Sequence, residues 1–518
     1  MNIAARMEQS APPGTLRISH DTWALVRGLF AVEPQPPLLV KGVAAPMQTY
    51  LVSGALERSV ASVERGLQGL ATPMVGRDAE LRRLLDTVAQ ARQTRQLQAL
   101  TLVGDAGLGK SRLLREGMTI LSRDPAGHRL LALRMQPDGL LRPWGLLRAL
   151  LALQCGVADT DSARVACVKV VAGLSPWFPE RGQQQAELIG QLSGLDFSDR
   201  PHLHGLGPRA LRDQALAALR IYLQALAARG EGVPVLVVED LHWADDSSLD
   251  LLQHLQDHAA ELPLALVMTG RPSLLERRPD WATPEARLHL HPLPAQAGDE
   301  LARALLQRLD AVPDRLLALI AGRAEGNPYY MEELVRRLID DGVIVVAEPR
   351  WTVRTEQLDN LRLPGTLIGL LQARLDALPL AERQAARQAS IIGHVFWDDA
   401  LQALDPAAPQ ALPQLERAAF VRGREASAVE GTPERQFDHH LLHEVTYDTL
   451  LKAERTLGHG AAARWLQART QGRGAEFLAM TGEHAARAGE TALAVDCFEE
   501  AGRQASIRCA ATTAVSWL

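Results

Sequence analysis

The chain has 518 residues, 47% hydrophobic and 22% charged, with a formal net charge of −6. At roughly 100–200 residues per domain this is about three to five domains with ample core, which excludes a disordered or disulfide-stapled chain. The acidic balance argues against a general nucleic-acid-binding surface, leaving room for one small basic domain. Of 55 basic residues only Lys41, Lys110, Lys169 and Lys452 are lysine, so a lysine stands out.

Residues 1–56 read as one unit, with PPG at 12–14 and EPQPP at 33–37, followed by a helical, Gly-interrupted linker over 57–72. Over 73–295 helical patterns alternate with the apolar runs LQALTLVG (97–104), HRLLALRM (128–135), VPVLVVED (233–240) and LPLALVMTG (262–270). Continuous rather than alternating apolar runs suit strands covered on both faces of a parallel sheet. Residues 144–230 read as a mostly helical insertion. Helical spacing returns after about 294, including YYMEELVRRLIDDGV, which ends at Gly342. VIVVAEPRWTV (343–353) reads as a small hairpin, and LPGTLIGLLQARLDALP as a helix. From 458, TGEHAARAGETALAVDCFEEAGRQAS has the small-residue pattern of a tetratricopeptide-like helix pair. Cys155, Cys167, Cys497 and Cys509 lack zinc or redox spacing and read as reduced thiols of a cytoplasmic protein. No apolar run is long enough for a membrane span, so no membrane partner is expected.

Gly104-Asp105-Ala106-Gly107-Leu108-Gly109-Lys110-Ser111 fits G-x-x-x-x-G-K-[ST] between a strand and a helix. Its glycines let backbone N–H groups turn toward phosphate oxygens, and the helix N-terminus adds partial positive charge. Lys110 is expected to reach the β/γ-phosphates and the Ser111 hydroxyl to bind Mg²⁺. Glu239 and Asp240 end a second strand. Glu239 is assigned to the metal's water shell and Asp240 to water activation, with the two roles open to exchange. Asp245, Asp246 and Ser247 read as the cap of the next helix. Arg271 follows the third strand, either as a sensor of the γ-phosphate or as a solvated loop residue.

VGRDAELRRL (75–84), the phosphate loop, VLVVEDLHWADDSSLDLL (235–252) and EGNPYYMEELVRRLIDDGVI (325–344) resemble the signalling P-loop ATPases of the STAND class. More narrowly, they resemble the AAA-type module attached behind bacterial class III adenylate/guanylate cyclase domains, over about 74–505. The resemblance implies an α/β P-loop NTPase with an AAA-like parallel sheet over 73–295 and an all-α lid over 296–345. A winged-helix-like domain over 346–457 and tetratricopeptide-like helices over 458–518 complete the expected order. Val75, Gly76 and Arg77 would lie beside the adenine, and the G-N-P turn, Gly326-Asn327-Pro328, would close over the nucleotide. His439 would touch the β-phosphate, with a structural role as its alternative. The resemblance also implies ATP and Mg²⁺ as cofactors, slow hydrolysis to ADP, a protein partner on the C-terminal helices and a nucleotide-dependent homo-oligomer.

Residues 1–56 resemble the C-terminal third of a class III nucleotidyl cyclase domain, an α+β remnant in which Asn2 and Arg6 match the family's N-x-x-x-R pair. The family's metal-binding aspartates and base-recognising lysine region are not in this sequence, so the chain is expected to be a fragment without cyclase activity of its own. The expected function is an ATP-binding switch, the regulatory part of a cyclase-like signalling protein. The alternative is a LuxR-type ATP-dependent transcription regulator lacking its DNA-binding end.

Overall fold

The computed structural model describes residues 7, 10–12, 14–19, 22, 30–38, 47–55, 72–158, 161–229, 232–347, 350–360, 364–424, 427–470, 475–507 and 514–515. Asn2, Arg6, Lys41, Cys509 and all of the expected linker before Thr72 lie outside these residues.

β1 (Leu16–Ser19), β2 (Phe30–Leu38) and β3 (Met47–Ala55) form an antiparallel sheet in the order β1-β3-β2. β2 is interrupted at Ala31/Val32 and Gln35/Leu38. Pro34, Pro36 and Pro37 have no N–H for a ladder, which suits an irregular edge strand.

The next unit alternates strands and helices: α1 (Asp78–Thr94), β4 (Gln98–Val103), α2 (Lys110–Ser122) and β5 (Arg129–Arg134). The helices α3 (Gly145–Cys155), α4 (Ala163–Leu174), α5 (Gly182–Ser193) and α6 (Pro208–Ala228) follow. β6 (Pro234–Glu239), α7 (Asp246–His258), β7 (Ala265–Gly270), α8 (Pro272–Arg277) and β8 (Arg287–His289) complete it. The strands make one parallel sheet, ordered β5-β6-β7-β4-β8. Both faces are covered, and β6 shows why its sequence is apolar throughout. Val235 and Val237 pack with Leu84 and Leu113 on one face, while Leu236 and Val238 pack with Leu147 and Leu219 on the other. Four strands lie on the four apolar runs. β8 was not legible because three partly exposed residues make no such run. β4 sits between β7 and β8, whereas the next strand in sequence, β5, lies at the far edge. That reversal opens a crevice at the C-terminal end of β4.

α9 (Ala295–Leu305), α10 (Asp314–Ala324) and α11 (Pro328–Asp340) follow, with a hairpin of β9 (Ile344–Val345) and β10 (Thr352–Val353). Leu301, Leu316 and Leu334 share a core with Trp351 and Leu358. The lid's core therefore runs past the boundary expected at 345, because the hairpin folds back and the Trp351 N–H reaches Arg308 O at 2.8 Å.

α12 (Leu367–Asp376), α13 (Leu380–Ile392), β11 (Val395–Trp397), α14 (Asp398–Leu404), α15 (Leu412–Arg417), β12 (Val421–Gly423), β13 (Glu434–Phe437) and α16 (His440–Asp448) come next. Their antiparallel sheet has the order β11-β13-β12 and is packed against the helices. The chain continues as α17 (Lys452–Arg469), α18 (Ala475–Ala488) and α19 (Thr491–Ile507). The last two pack as a pair, and a Cβ added to Gly482 would stand 3.1 Å from the Phe498 ring. They also reach the first core. Ala475, Ala479, Ala501 and Ala505 pack in the cluster of Trp144 and Leu147. Arg148 meets the buried Glu476 at 2.9 Å; burial alone would raise that carboxyl, but Arg148 and Arg142 hold it at about 2. Among the described residues, no helix is long and apolar enough to cross a membrane.

A candidate nucleotide-binding site

The chain reverses sharply between β4 and α2, with Gly107 and Gly109 at φ +85° and +92°. A Cβ is disfavoured in this left-handed region, so the loop needs glycine there. No side chain caps the N-terminus of α2, which leaves its first N–H groups available to an anion. Lys110 is buried, and its Nζ donates to the carbonyls of Gly104 (2.6 Å) and Asp105 (2.8 Å). Burial brings this ammonium down to about 8, with Asp240 pulling it back up and Arg271 pushing it further down.

Glu239 and Asp240 stand at the end of the neighbouring strand β6. Asp240 has φ +60°, and its N–H donates to Thr269 Oγ1 of β7 at 3.0 Å. Its Oδ2 accepts from Arg134 Nε at 3.0 Å. Burial would push the Asp240 carboxyl up, but nearby cations led by Arg134 hold it below the ordinary carboxylate value. Glu239 Oε2 is buried with no hydrogen-bond partner. A divalent cation would satisfy that orphaned oxygen, and the Ser111 hydroxyl at the start of α2 is a second oxygen ligand of the right kind. Asp245 does other work. It caps α7 through Ser248 N–H at 3.0 Å and also accepts from Trp144 N–H (3.1 Å) and Gly145 N–H (3.0 Å) at the start of α3.

The start of α11 packs directly on the phosphate loop. Asn327 Oδ1 accepts from Tyr330 N–H at 3.2 Å, capping α11, while its Nδ2 donates to Ala106 O at 3.2 Å. Tyr329 N–H donates to Gly107 O at 3.3 Å. The Tyr329 ring stacks on His439 with centroids 4.1 Å apart. His439 in turn caps α16, its Nδ1 accepting from Leu441 N–H at 3.2 Å. His440 packs against Trp243 at 4.7 Å and contacts Arg271 at 3.4 Å and Glu444 at 3.0 Å. Among the described residues, no group of three His, Cys, Asp or Glu side chains is arranged to hold a metal ion.

These walls enclose a cavity of about 1160 Å³. Val75, Arg77 and the loop residues Ala106, Gly107, Leu108, Gly109, Lys110 and Ser111 line it. Asp240, Arg271, Pro328 and His439 line it as well. Gly76, Gly104, Asp105 and Glu239 are not among its lining residues. Gly76 has φ +65°, and an added Cβ would be 2.5 Å from Ala297 Cβ, so glycine there lets the segment pass against α9. Arg77 spends its donors on Leu108 O (3.3 Å), His291 O (2.6 Å) and Glu80 (2.9 Å), a scaffolding set rather than a ligand-facing one. Asn327 belongs to the G-N-P turn expected to close over the nucleotide, whereas Tyr329, Arg134 and His440 were given no role by sequence reasoning. Asn327 was legible as a helix cap within the G-N-P turn. Arg134 and His440 carried no local signal, because only strand pairing and domain packing bring them to the cavity.

Residues 73–268 match the AAA ATPase domain family. They form an AAA-type ATPase domain. An uncharacterized protein of Rhizobium meliloti is 31% identical over 546 aligned positions, covering 100% of this chain and 49% of its own length. The chain thus spans about half the length of that relative. A signal transduction ATPase with numerous domains (STAND) and a tetratricopeptide repeat sensor, from Pyrococcus horikoshii, is similar at 13% identity with a TM-score of 0.43. That similarity covers 86% of this chain and 54% of the other. The ORC1 protein of Aeropyrum pernix in complex with DNA is similar at 16% identity and a TM-score of 0.32, covering 73% of this chain and 94% of the other. Residues of the ATPase domain, α11 and α16 together line the cavity described above.

Proposed function

We propose that the chain is a STAND-type ATP-binding switch with slow hydrolysis, the regulatory part of a class III cyclase-like signalling protein. One observation carries this reading: Arg271, at the end of β7, is held from α16 by His440 at 3.4 Å and Glu444 at 3.6 Å, beside Lys110 and Asp240. A nucleotide in the cavity would therefore touch the ATPase sheet, the lid and the C-terminal half together, and its phosphates would decide how firmly they close.

Lys110 and the N–H groups of the loop bind the phosphates, and Arg271 faces them from β7. Ser111 and Glu239 would hold Mg²⁺, which neutralises charge on the phosphate oxygens when bound. Asp240 takes the proton of the attacking water. Its pairing with Arg134 makes it a weak base, which is in keeping with slow turnover. The cyclase association rests on the sequence likeness of residues 1–56, and the antiparallel sheet β1–β3 is compatible with it. The C-terminal pair α18–α19 is the surface offered to a protein partner, and ATP-dependent self-assembly belongs to the same reading.

Calorimetric titration with ATP and Mg²⁺ tests the switch. The wild-type chain should bind and the Lys110→Ala variant should lose most of that affinity; equal binding removes the proposal. Incubation of the purified chain with ATP or GTP should yield no cyclic nucleotide, because the family's metal-binding aspartates are not among these residues.

A further inference from the structure

We propose that Glu332 binds the sugar hydroxyls of the nucleotide and makes the site select ribonucleotides over 2′-deoxyribonucleotides. The inference rests on the nucleotide-site reading above.

α11 is pinned over the phosphate loop at its first residues, through Asn327 to Ala106 O (3.2 Å) and Tyr329 to Gly107 O (3.3 Å). Pro328, Glu332 and Arg336 follow at four-residue spacing, lie on one helix face and all line the cavity. Glu332 is thus one helical turn, about 6 Å along the axis, past the phosphate end. That is the reach from a diphosphate to its ribose. The wall opposite is the start of α2, whose Arg112 donates to Thr72 O at 2.6 Å and so fixes the segment leading to Val75. Pro73, Met74 and Val75 add an apolar lining to the cavity, which suits a base.

Glu332 also needs a partner. Among the described residues it makes no hydrogen bond or ion pair, although it lines the cavity and is only partly exposed. Of the cations around it, Arg112 donates to Thr72 O at 2.6 Å, and Arg336 Nε stands 3.6 Å from Glu333. Burial, reinforced by Glu333, pushes its carboxyl up to about 7 against the pull of Arg336, Arg112 and Arg115. A partly desolvated acceptor gains from a donor brought to it. The vicinal hydroxyls of a ribose supply two donors to one carboxylate, the pairing by which an acidic residue reads the 2′-OH in dinucleotide sites.

Competition titrations of the full chain with ATP and 2′-deoxy-ATP, each with Mg²⁺, test the assignment. The wild type should prefer ATP by about tenfold. Glu332→Ala should bring the two ligands within about twofold, by weakening ATP while leaving 2′-deoxy-ATP nearly unchanged. Glu332→Gln keeps the shape and one acceptor oxygen, so an intermediate preference is expected, and it guards against a folding defect in the alanine variant. A wild type without preference, a preference that survives Glu332→Ala, or an equal loss for both ligands overturns the proposal. Failure of the underlying reading has a different signature: neither nucleotide binds the wild type.

Discussion

Arg134 Nε and Nη2 stand 3.0 and 2.9 Å from Oδ2 of Asp240, joining the C-terminal ends of the adjacent strands β5 and β6. The carboxylate proposed to activate water is thereby paired with a cation. A γ-phosphate in the proposed site would be a competing anion for Arg134, which would couple phosphate binding to release of Asp240 through one guanidinium.

Removing the guanidinium should speed hydrolysis. Arg134→Ala is expected to raise single-turnover ATP cleavage by roughly three- to tenfold, because Asp240 regains the basicity the cation suppresses. Asp240→Asn should lower the same rate by about a hundredfold or more, as loss of a general base does. A slower Arg134→Ala variant would place the arginine on the phosphates rather than on Asp240.

Nucleotide affinity should weaken in mildly alkaline solution. Phosphate binding needs protonated Lys110, and burial brings this group down from 10.5 to about 8. Affinity is therefore present below that value and lost as pH rises through it; bound phosphate shifts the loss upward by favouring the charged form. Titrations between pH 7 and about 10 check the sign. An affinity constant across that range would contradict it.

Arg374→Ala should be strongly destabilising. Arg374 of α12 reaches Glu333 of α11 at 3.0 Å and also donates to Ala418 O (2.6 Å) and Ala419 O (3.1 Å). Truncation leaves a buried carboxylate and two carbonyls short of donors, costing roughly 3–5 kcal/mol, toward the lower end because Arg336 remains near Glu333. Denaturant midpoints of the variant and of Arg374→Lys measure it, and lysine should rescue in part because it keeps the charge without the fork.

Acid should loosen the packing of α13 and α16 against the ATPase domain. Burial lowers His242 to about 3, His394 to about 2 and His443 to about 4. His440, Arg271, Lys110 and Arg134 face them and oppose further positive charge, while Asp240 and Glu444 act the other way. Since the folded values lie below the unfolded one of about 6.5, the stabilisation is complete above 6.5 and is lost as pH falls toward the folded values. Melting midpoints should be flat near neutrality and fall below about 6.5. His394→Leu should make that fall shallower.

The phosphate loop, the acidic strand end and four of the five parallel strands were legible because each is local. A glycine-and-lysine motif reports the backbone conformation it needs, and a strand buried on both faces has little room for polar side chains. β8 escaped because it is short and held by β4 rather than by its own pattern. The lid's reach to Trp351 escaped because it depends on a hairpin folding back onto helices more than ten residues earlier.

What the sequence determined by itself is chemistry near one point of the chain: which residues can cradle phosphate and which can hold a cation. The tertiary structure alone decided which of the many arginines and histidines meet that point. Arg134 reaches Asp240 because β5 pairs with β6 across a gap of about a hundred residues, and His440 reaches Arg271 across 169. Side-chain type does not encode such meetings. They follow from strand order and from packing between domains, which a local pattern of residues cannot report.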